Sequence, residues 1–231
     1  MKAKTQNETL RNELKYILGR GEYAAITQRC RAVMKRDPHA GKDGTYRITS
    51  LYFDDLGDTA LLQNYSGVSR REKFRIRYYG NDLSTLHLEK KVKYGGLGTK
   101  YACPMTEDQL RKLLEGDYSW MMDTGHPLMQ ELYLRMTTDI LRPKTIVSYT
   151  REPFIYGPGN VRVTFDYDIR SSVRMTDMLN AEALVPAAVG QALMEVKYDA
   201  FLPDIIRMIL QEGTLRARAF SKYAICRQYD I

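Results

Sequence analysis

Cysteine, histidine and tryptophan are scarce in this sequence: its 231 residues hold 3 Cys, 3 His and 1 Trp. Cys30, Cys103 and Cys226 are odd in number and far apart, which leaves neither a disulfide framework nor a CxxC metal knuckle; reduced, structural thiols are expected. His39, His87 and His126 show no HExxH spacing, so a histidine-ligated metal is not expected. No run approaches the roughly 18 apolar residues of a membrane span. The opening MKAKTQNETLRNELKY has no apolar centre of the kind a signal peptide needs, and the expected address is the cytoplasm. Gly95, Gly96 and Gly98 in YGGLG lack the spacing of a P-loop and do not open a helix, so they read as a hairpin turn.

What the sequence does have is basic charge. Its 35 Lys and Arg against 28 Asp and Glu leave a formal +7, in a chain that is 44% hydrophobic and 27% charged. That composition is globular, with a sizeable core, and not disordered or collagen-like. A spread-out excess of charge aids solubility, whereas a focused one recruits polyanions, so the placement of the charge decides its meaning.

Periodicity predicts helices over 7–18 and 22–35, the second stopping before Asp37 and Pro38. A strand over 45–53, a short helical turn over 58–65, and strands over 72–79 and 84–93 follow. Helices are predicted over 104–116, opened by Thr106, and over 128–141, stopped by Pro143. Strands over 145–151, 161–170 and 192–199 precede a helix over 203–211 and a tail over 217–231. With no repeat, linker or low-complexity segment, the expectation is one domain over 1–231, α+β in class with a mainly antiparallel sheet.

Side chains two apart on a strand share a face. Phe74, Ile76 and Tyr78 therefore oppose Lys73, Arg75 and Arg77. Leu86, Leu88 and Val92 oppose His87, Glu89, Lys91 and Lys93, with Lys90 breaking the apolar row. Val161, Val163, Phe165, Tyr167 and Ile169 oppose Arg162, Thr164, Asp166, Asp168 and Arg170; Met194, Val196 and Tyr198 oppose Glu195 and Lys197. One strand of this kind is a solvated face. Several rows dominated by Arg and Lys are different, because like charges on neighbouring strands repel. A sheet curled so that these rows converge would bind a polyphosphate, since guanidinium forks match phosphate oxygens. The architecture expected is a barrel with a charged lumen, its outer face covered by helices.

The strings LYFDD at Leu51, KFRIRYYG at Lys73, LEKKVK at Leu88, SYTREPF at Ser148, VRVTFDYDIR at Val161, MEVKYD at Met194 and SKYAICRQ at Ser221 occur in order over nearly the whole chain. Together they resemble the VTC domain, the polyphosphate polymerase domain of the vacuolar transporter chaperone complex, within the CYTH-like triphosphate tunnel metalloenzymes. The resemblance implies a β-tunnel closed by a C-terminal helix and a phosphotransferase activity. ATP and polyphosphate would be its ligands, and the ATP γ-phosphoryl group would pass to a growing chain with the help of Mn2+ or Mg2+. It also implies that any membrane association comes through a membrane-protein partner.

By the same resemblance Arg75 and Arg77 match the family's paired phosphate-binding arginines, Lys91 the next-strand lysine and Lys100 that of the following strand. Arg151 matches the arginine of a Tyr-x-Arg motif, Arg162 a further phosphate ligand and Lys15 the N-terminal lysine. Glu195 matches the metal-binding glutamate, and Lys222 the lysine of the closing helix. Lys222, Lys91, Arg75 and Arg77 would carry catalysis. The Glu-x-Glu-x-Lys signature of the wider superfamily is missing near the N-terminus, where Glu13 and Lys15 stand two apart, which fits the VTC branch over a typical triphosphatase.

Other readings stay open. A hydrolase or nucleotide cyclase could use the same tunnel, and a non-catalytic polyphosphate-binding subunit needs only the charge. No interleaving of stacking platforms and base-reading groups is evident, which argues against nucleic acid, although 17 Tyr are present. Asp166 and Asp168 could be a second metal group or could pair with Arg162 and Arg170. His87, on the charged face, could touch phosphate, and Met121, Met122 and Met129 read as core filling.

Overall fold

A computed structural model of the chain describes residues 11–94, 97–211, 215–217 and 220–229. Its strands are β1 (Asn12–Gly19), β2 (Lys35–Arg36), β3 (Tyr46–Asp54), β4 (Arg70–Tyr79), β5 (Asp82–Tyr94), β6 (Leu97–Pro104), β7 (Arg142–Tyr156), β8 (Val161–Ser172), β9 (Val185–Pro186) and β10 (Gln191–Tyr198). Its helices are α1 (Arg20–Val33), α2 (Thr59–Tyr65), α3 (Glu107–Leu114), α4 (Trp120–Asp123), α5 (Pro127–Thr138), α6 (Asp204–Leu210) and α7 (Lys222–Cys226). Among the described residues no helix is long and apolar enough to cross a membrane.

The strands form one antiparallel sheet in the order β1-β10-β8-β7-β3-β4-β5-β6, with β2 on β7 and β9 on β8. β1 and β6 end the ladder and are not hydrogen-bonded to each other, so the tunnel is a curled open sheet. Across its seam the Lys93 Nζ of β5 comes within 3.9 Å of Glu13 Oε2 of β1.

The outer face carries two apolar layers. Phe74, Ile76, Leu86 and Leu88 pack on Leu110 and Leu113 of α3 and Leu132 and Met136 of α5. Tyr16, Leu18, Val163, Phe165, Met194 and Val196 pack on Ile26 and Cys30 of α1 and on Ile206 and Leu210 of α6. Each large side chain so buried contributes about 1.5–3 kcal/mol. A third cluster, with Ile48, Val147, Tyr149, Ile169, Leu193 and Tyr223, fills part of the inside. Helix α3 begins where its composition says it should: the Thr106 hydroxyl accepts from Gln109 N at 3.2 Å, and Gln109 Oε1 accepts from Thr106 N at 2.9 Å.

Three details depart from the sequence reading, and one agrees with it. Of the helix expected over 7–18, residues 7–10 lie outside the described residues and Asn12–Gly19 is strand β1. NELKYILG satisfies both periods; what decides is the ladder with β10, from Asn12 opposite Tyr198 to Gly19 opposite Gln191. In β8, Asp168 adopts φ 47° and inserts an extra residue opposite Ser148–Thr150. This bulge turns Ile169 inward against Val147 and Tyr149, off the face it was expected to share with Val161. The lysine that interrupts the apolar row, Lys90, does lie on the outer face, where Glu72 at 2.9 Å and Glu131 neutralise it. Met121 and Met129 are core, but Met122 is exposed.

Candidate active site

Period-2 alternation delivers the charged rows to the inside of the curl. They line a cavity of about 920 Å³ that α7 closes on one side. At its heart are three arginines from two strands, and the sheet fixes each with a partner in or beside its own row.

Arg75 lies opposite Glu89 across β4 and β5; its Nη2 is 2.6 Å from Glu89 Oε2, and its Nη1 donates to the Tyr52 hydroxyl at 3.2 Å. Arg77 donates to Ser50 Oγ at 2.9 Å and to the Tyr149 hydroxyl at 3.4 Å. Arg151 grips Asp166 in a two-point pair, Nε to Oδ1 at 2.7 Å and Nη2 to Oδ2 at 2.8 Å. Burial works against the Glu89 charge, but Arg75 and Arg77 outweigh it and bring the carboxyl down to about 2. Burial likewise opposes ionisation of Tyr52, yet Arg75, Arg77 and Lys222 pull its phenol down to about 8. The inner wall is thus strongly electropositive even with its carboxylates counted.

Lys222 reaches this cluster from α7. Ser221 caps that short helix by accepting from Ala224 N at 3.3 Å, and two contacts moor it to the β3–α2 junction. The Tyr223 hydroxyl donates to the buried Asp54 at 2.5 Å, and Arg227 Nη1 lies 2.9 Å from Asp58 Oδ1. So held, the Lys222 Nζ sits 2.5 Å from Asp166 Oδ2 and 4.6 Å from the centre of the Tyr149 ring. Burial disfavours the ammonium, but Asp166 beside it raises it above the usual lysine value. Asp166 therefore joins Arg151 to Lys222, and not to Arg162; Asp168 is turned outward by the bulge, to Arg47 at 2.8 Å and Arg170 at 3.0 Å.

The two carboxylates that could hold a cation stand at the seam. Lys15 lies opposite Glu195 and Glu13 opposite Lys197, so the glutamates are diagonal neighbours on β1 and β10. Burial would raise Glu195, but the hydrogen bond with Glu13, together with Lys197, Lys15 and Lys222, holds it well below the usual carboxylate range. Two neighbouring carboxylates repel each other, and a hard cation suits a position between them. Among the described residues no group of three or more His, Cys, Asp or Glu gathers, so these two oxygen donors would leave several positions to phosphate oxygens, as Mg2+ and Mn2+ commonly accept.

Of the residues singled out in the sequence, Lys15, Arg75, Arg77, Lys91, Arg151, Glu195 and Lys222 line the one cavity. Lys100 and Arg162 are not among its lining residues. Lys100 stands behind Lys91, 3.4 Å from Glu89, and Arg162 is held at 2.7 Å by Asp37 and at 3.2 Å by the Tyr46 hydroxyl. His87 engages the Thr85 carbonyl through Nδ1 at 2.7 Å. Sequence reasoning assigned no role in the site to Glu13, Tyr52, Lys73, Lys93 or Lys197, all of which line the cavity. For the three lysines the signal was their place in the charged rows; for Glu13 it was the Glu-x-Lys spacing with Lys15.

The sequence profile of the VTC domain matches residues 10–229. Solved structures with a similar fold include a candidate adenylyl cyclase from Hippeastrum described as having a dominant triphosphatase activity, at TM-score 0.54 and 10% identity over 94% of each chain. A candidate adenylate cyclase from Bacillus halodurans aligns at TM-score 0.48 and 13% identity, over 89% of this chain and 88% of that one. A Pyrococcus horikoshii protein aligns at TM-score 0.49 and 13% identity, over 94% and 98%. At 10% identity the likeness to the Hippeastrum protein is one of fold alone. No curated protein matches the chain significantly.

Proposed function

The chain belongs to the VTC domain family, and from that premise we propose that it is a metal-dependent polyphosphate polymerase, passing the γ-phosphoryl group of ATP to a growing phosphate chain. The observation that carries the reading is the convergence of Arg75, Arg77, Arg151 and Lys222 on one cavity, each held by a partner that fixes its direction.

Phosphoryl transfer asks a protein for positioning and for neutralisation of the phosphate oxygens more than for a nucleophile. Arg75, Arg77 and Arg151 offer pre-oriented N–H forks to the triphosphate, and their partners spare them reorganisation when charge shifts. Lys222, a compact charge on a closing helix, stands where it can meet the transferring group. Glu195 and Glu13 would hold Mn2+ or Mg2+, which when bound neutralises phosphate oxygens. The acceptor chain follows the rows of Lys73, Lys91 and Lys93 away from the arginines.

A second reading has support in the fold shared with the Hippeastrum protein and its stated triphosphatase activity: the same tunnel could deliver the phosphoryl group to water. Incubation of the pure protein with ATP and Mn2+, with the products resolved on a gel, separates the two. Long polyphosphate is the result expected; phosphate or pyrophosphate alone would favour the hydrolase or cyclase.

A further inference from the structure

One buried tyrosine touches three cations of the site. The Tyr149 hydroxyl accepts from Arg77 Nη2 at 3.4 Å, and its ring centre lies 5.5 Å from Arg151 Cζ and 4.6 Å from Lys222 Nζ. These cations come from β4, from β7 and from α7, so Tyr149 is where two strands and the closing helix meet.

The backbone of β8 buttresses this ring. Register between β7 and β8 shifts at Tyr149, between Ser148 opposite Arg170 and Thr150 opposite Tyr167. The extra residue on β8 lets Asp168 take φ 47°, and Ile169 turns in to the cluster that packs Tyr149 with Ile48 and Val147. A non-glycine residue in the left-handed region is unfavourable and persists only where its surroundings impose it; bulges of this kind re-aim side chains beside sites. Here the side chain re-aimed is the one that presses on the Tyr149 ring.

Lys222 needs a second contact. Among the described residues its carboxylate partner is Asp166 alone, and Oδ2 of Asp166 serves both Arg151 Nη2 at 2.8 Å and Lys222 Nζ at 2.5 Å. An ammonium is a point charge on a flexible stem, so one shared anchor sets its distance and not its direction. A ring face attracts a cation within about 6 Å, and the Tyr149 ring stands inside that reach.

We propose that Tyr149 is a positioning residue for phosphoryl transfer: its ring directs the Lys222 ammonium at the transferring group, and the bulge at Asp168 and Ile169 holds the ring. The proposal rests on the reading of the tunnel as a phosphotransfer site, in which Lys222 meets that group.

The test is a double-mutant cycle read as ADP formed from ATP and Mn2+, whichever acceptor takes the phosphoryl group, with kcat separated from KM. Tyr149→Leu, which stays apolar but has no ring, should lower kcat about tenfold with a smaller change in KM. Tyr149→Phe restores the ring without the hydroxyl and should recover most of that loss. Adding Tyr149→Leu to Lys222→Ala should cost no more than about a further threefold, because the ring acts through Lys222. Proton NMR reads the geometry without turnover: the ε-methylene signal of Lys222, assigned by its loss in Lys222→Arg, should lie upfield in the wild type and in Tyr149→Phe. In Tyr149→Leu it should return to the position of an ordinary lysine. A merely structural tyrosine would give losses that multiply in the double variant, and that result overturns the proposal. So does a wild-type Lys222 signal with no upfield shift, or a kcat for Tyr149→Phe as low as that for Tyr149→Leu. Should Tyr149→Leu fail to fold, the wild-type shift and the kcat of Tyr149→Phe still decide. A wild type that forms no ADP overturns the phosphotransfer reading and takes the proposal with it, whereas ADP formation with multiplying losses removes the proposal alone.

Discussion

Lys222 Nζ lies 2.5 Å from Asp166 Oδ2, joining the C-terminal helix to a carboxylate with no exposed surface on a central strand. The same carboxylate holds Arg151 at two points, so one buried anion orients two cations of the site. Asp166→Asn leaves both cations without their counter-charge. It should lower stability by about 3–5 kcal/mol, read by chemical denaturation, and turnover should fall with it. An unchanged denaturation midpoint would mean that the pair is not holding α7.

Lys222→Ala keeps the arginine forks and removes the charge nearest the proposed transferring group. Turnover should drop about 100-fold while nucleotide affinity changes little, since an interaction gained mainly in the transition state lowers kcat. Steady-state kinetics beside a direct binding measurement give the comparison. Equal losses in both would assign Lys222 to ground-state binding.

Glu89 supplies a pH test. Its carboxyl is held at about 2 against the usual 4.5, so its contribution to stability is present above about 4.5 and is lost as the pH falls toward about 2. The size of the loss is about 3 kcal/mol. Glu89→Gln, which lacks that titration, should be less stable than the wild type at neutral pH and should show a flatter acid limb. Parallel acid limbs for the two proteins would count against the Arg75–Glu89 pair as its source.

Glu195→Gln keeps the size of the side chain and removes the charge that would hold a cation. The Mn2+ concentration for half-maximal activity should rise at least tenfold, while metal-free tripolyphosphate binding stays within about threefold of the wild type. Glu13→Gln should shift the Mn2+ requirement in the same direction. An unaltered Mn2+ dependence in both variants would remove the pair as metal ligands.

Much of the site is legible in the residues themselves. Rows such as Lys73, Arg75, Arg77 and Glu89, Lys91, Lys93 alternate with apolar neighbours, and alternation alone decides which side of a curled sheet they reach. Glu13 and Lys15 are harder to read, because NELKYILG carries a helical stripe as well as a strand alternation, and only its distant partner β10 breaks the tie. The bulge at Asp168 is a backbone event with no composition signal, so the inward turn of Ile169 and the outward turn of Asp168 stay hidden. The partner of Asp166 stays hidden for another reason. It depends on α7 returning to the tunnel, which is set by the Tyr223–Asp54 and Arg227–Asp58 contacts and not by local pattern.

The central claim is that the γ-phosphoryl group of ATP ends in a chain. Its most direct test supplies the protein with Mn2+ and ATP labelled either at the γ or at the α phosphorus, and follows the label by gel. The account predicts γ label in long polymer, α label confined to ADP, and loss of the polymer in Lys222→Ala. Label released from the γ position only as free phosphate, or α label in a cyclic nucleotide, would contradict it.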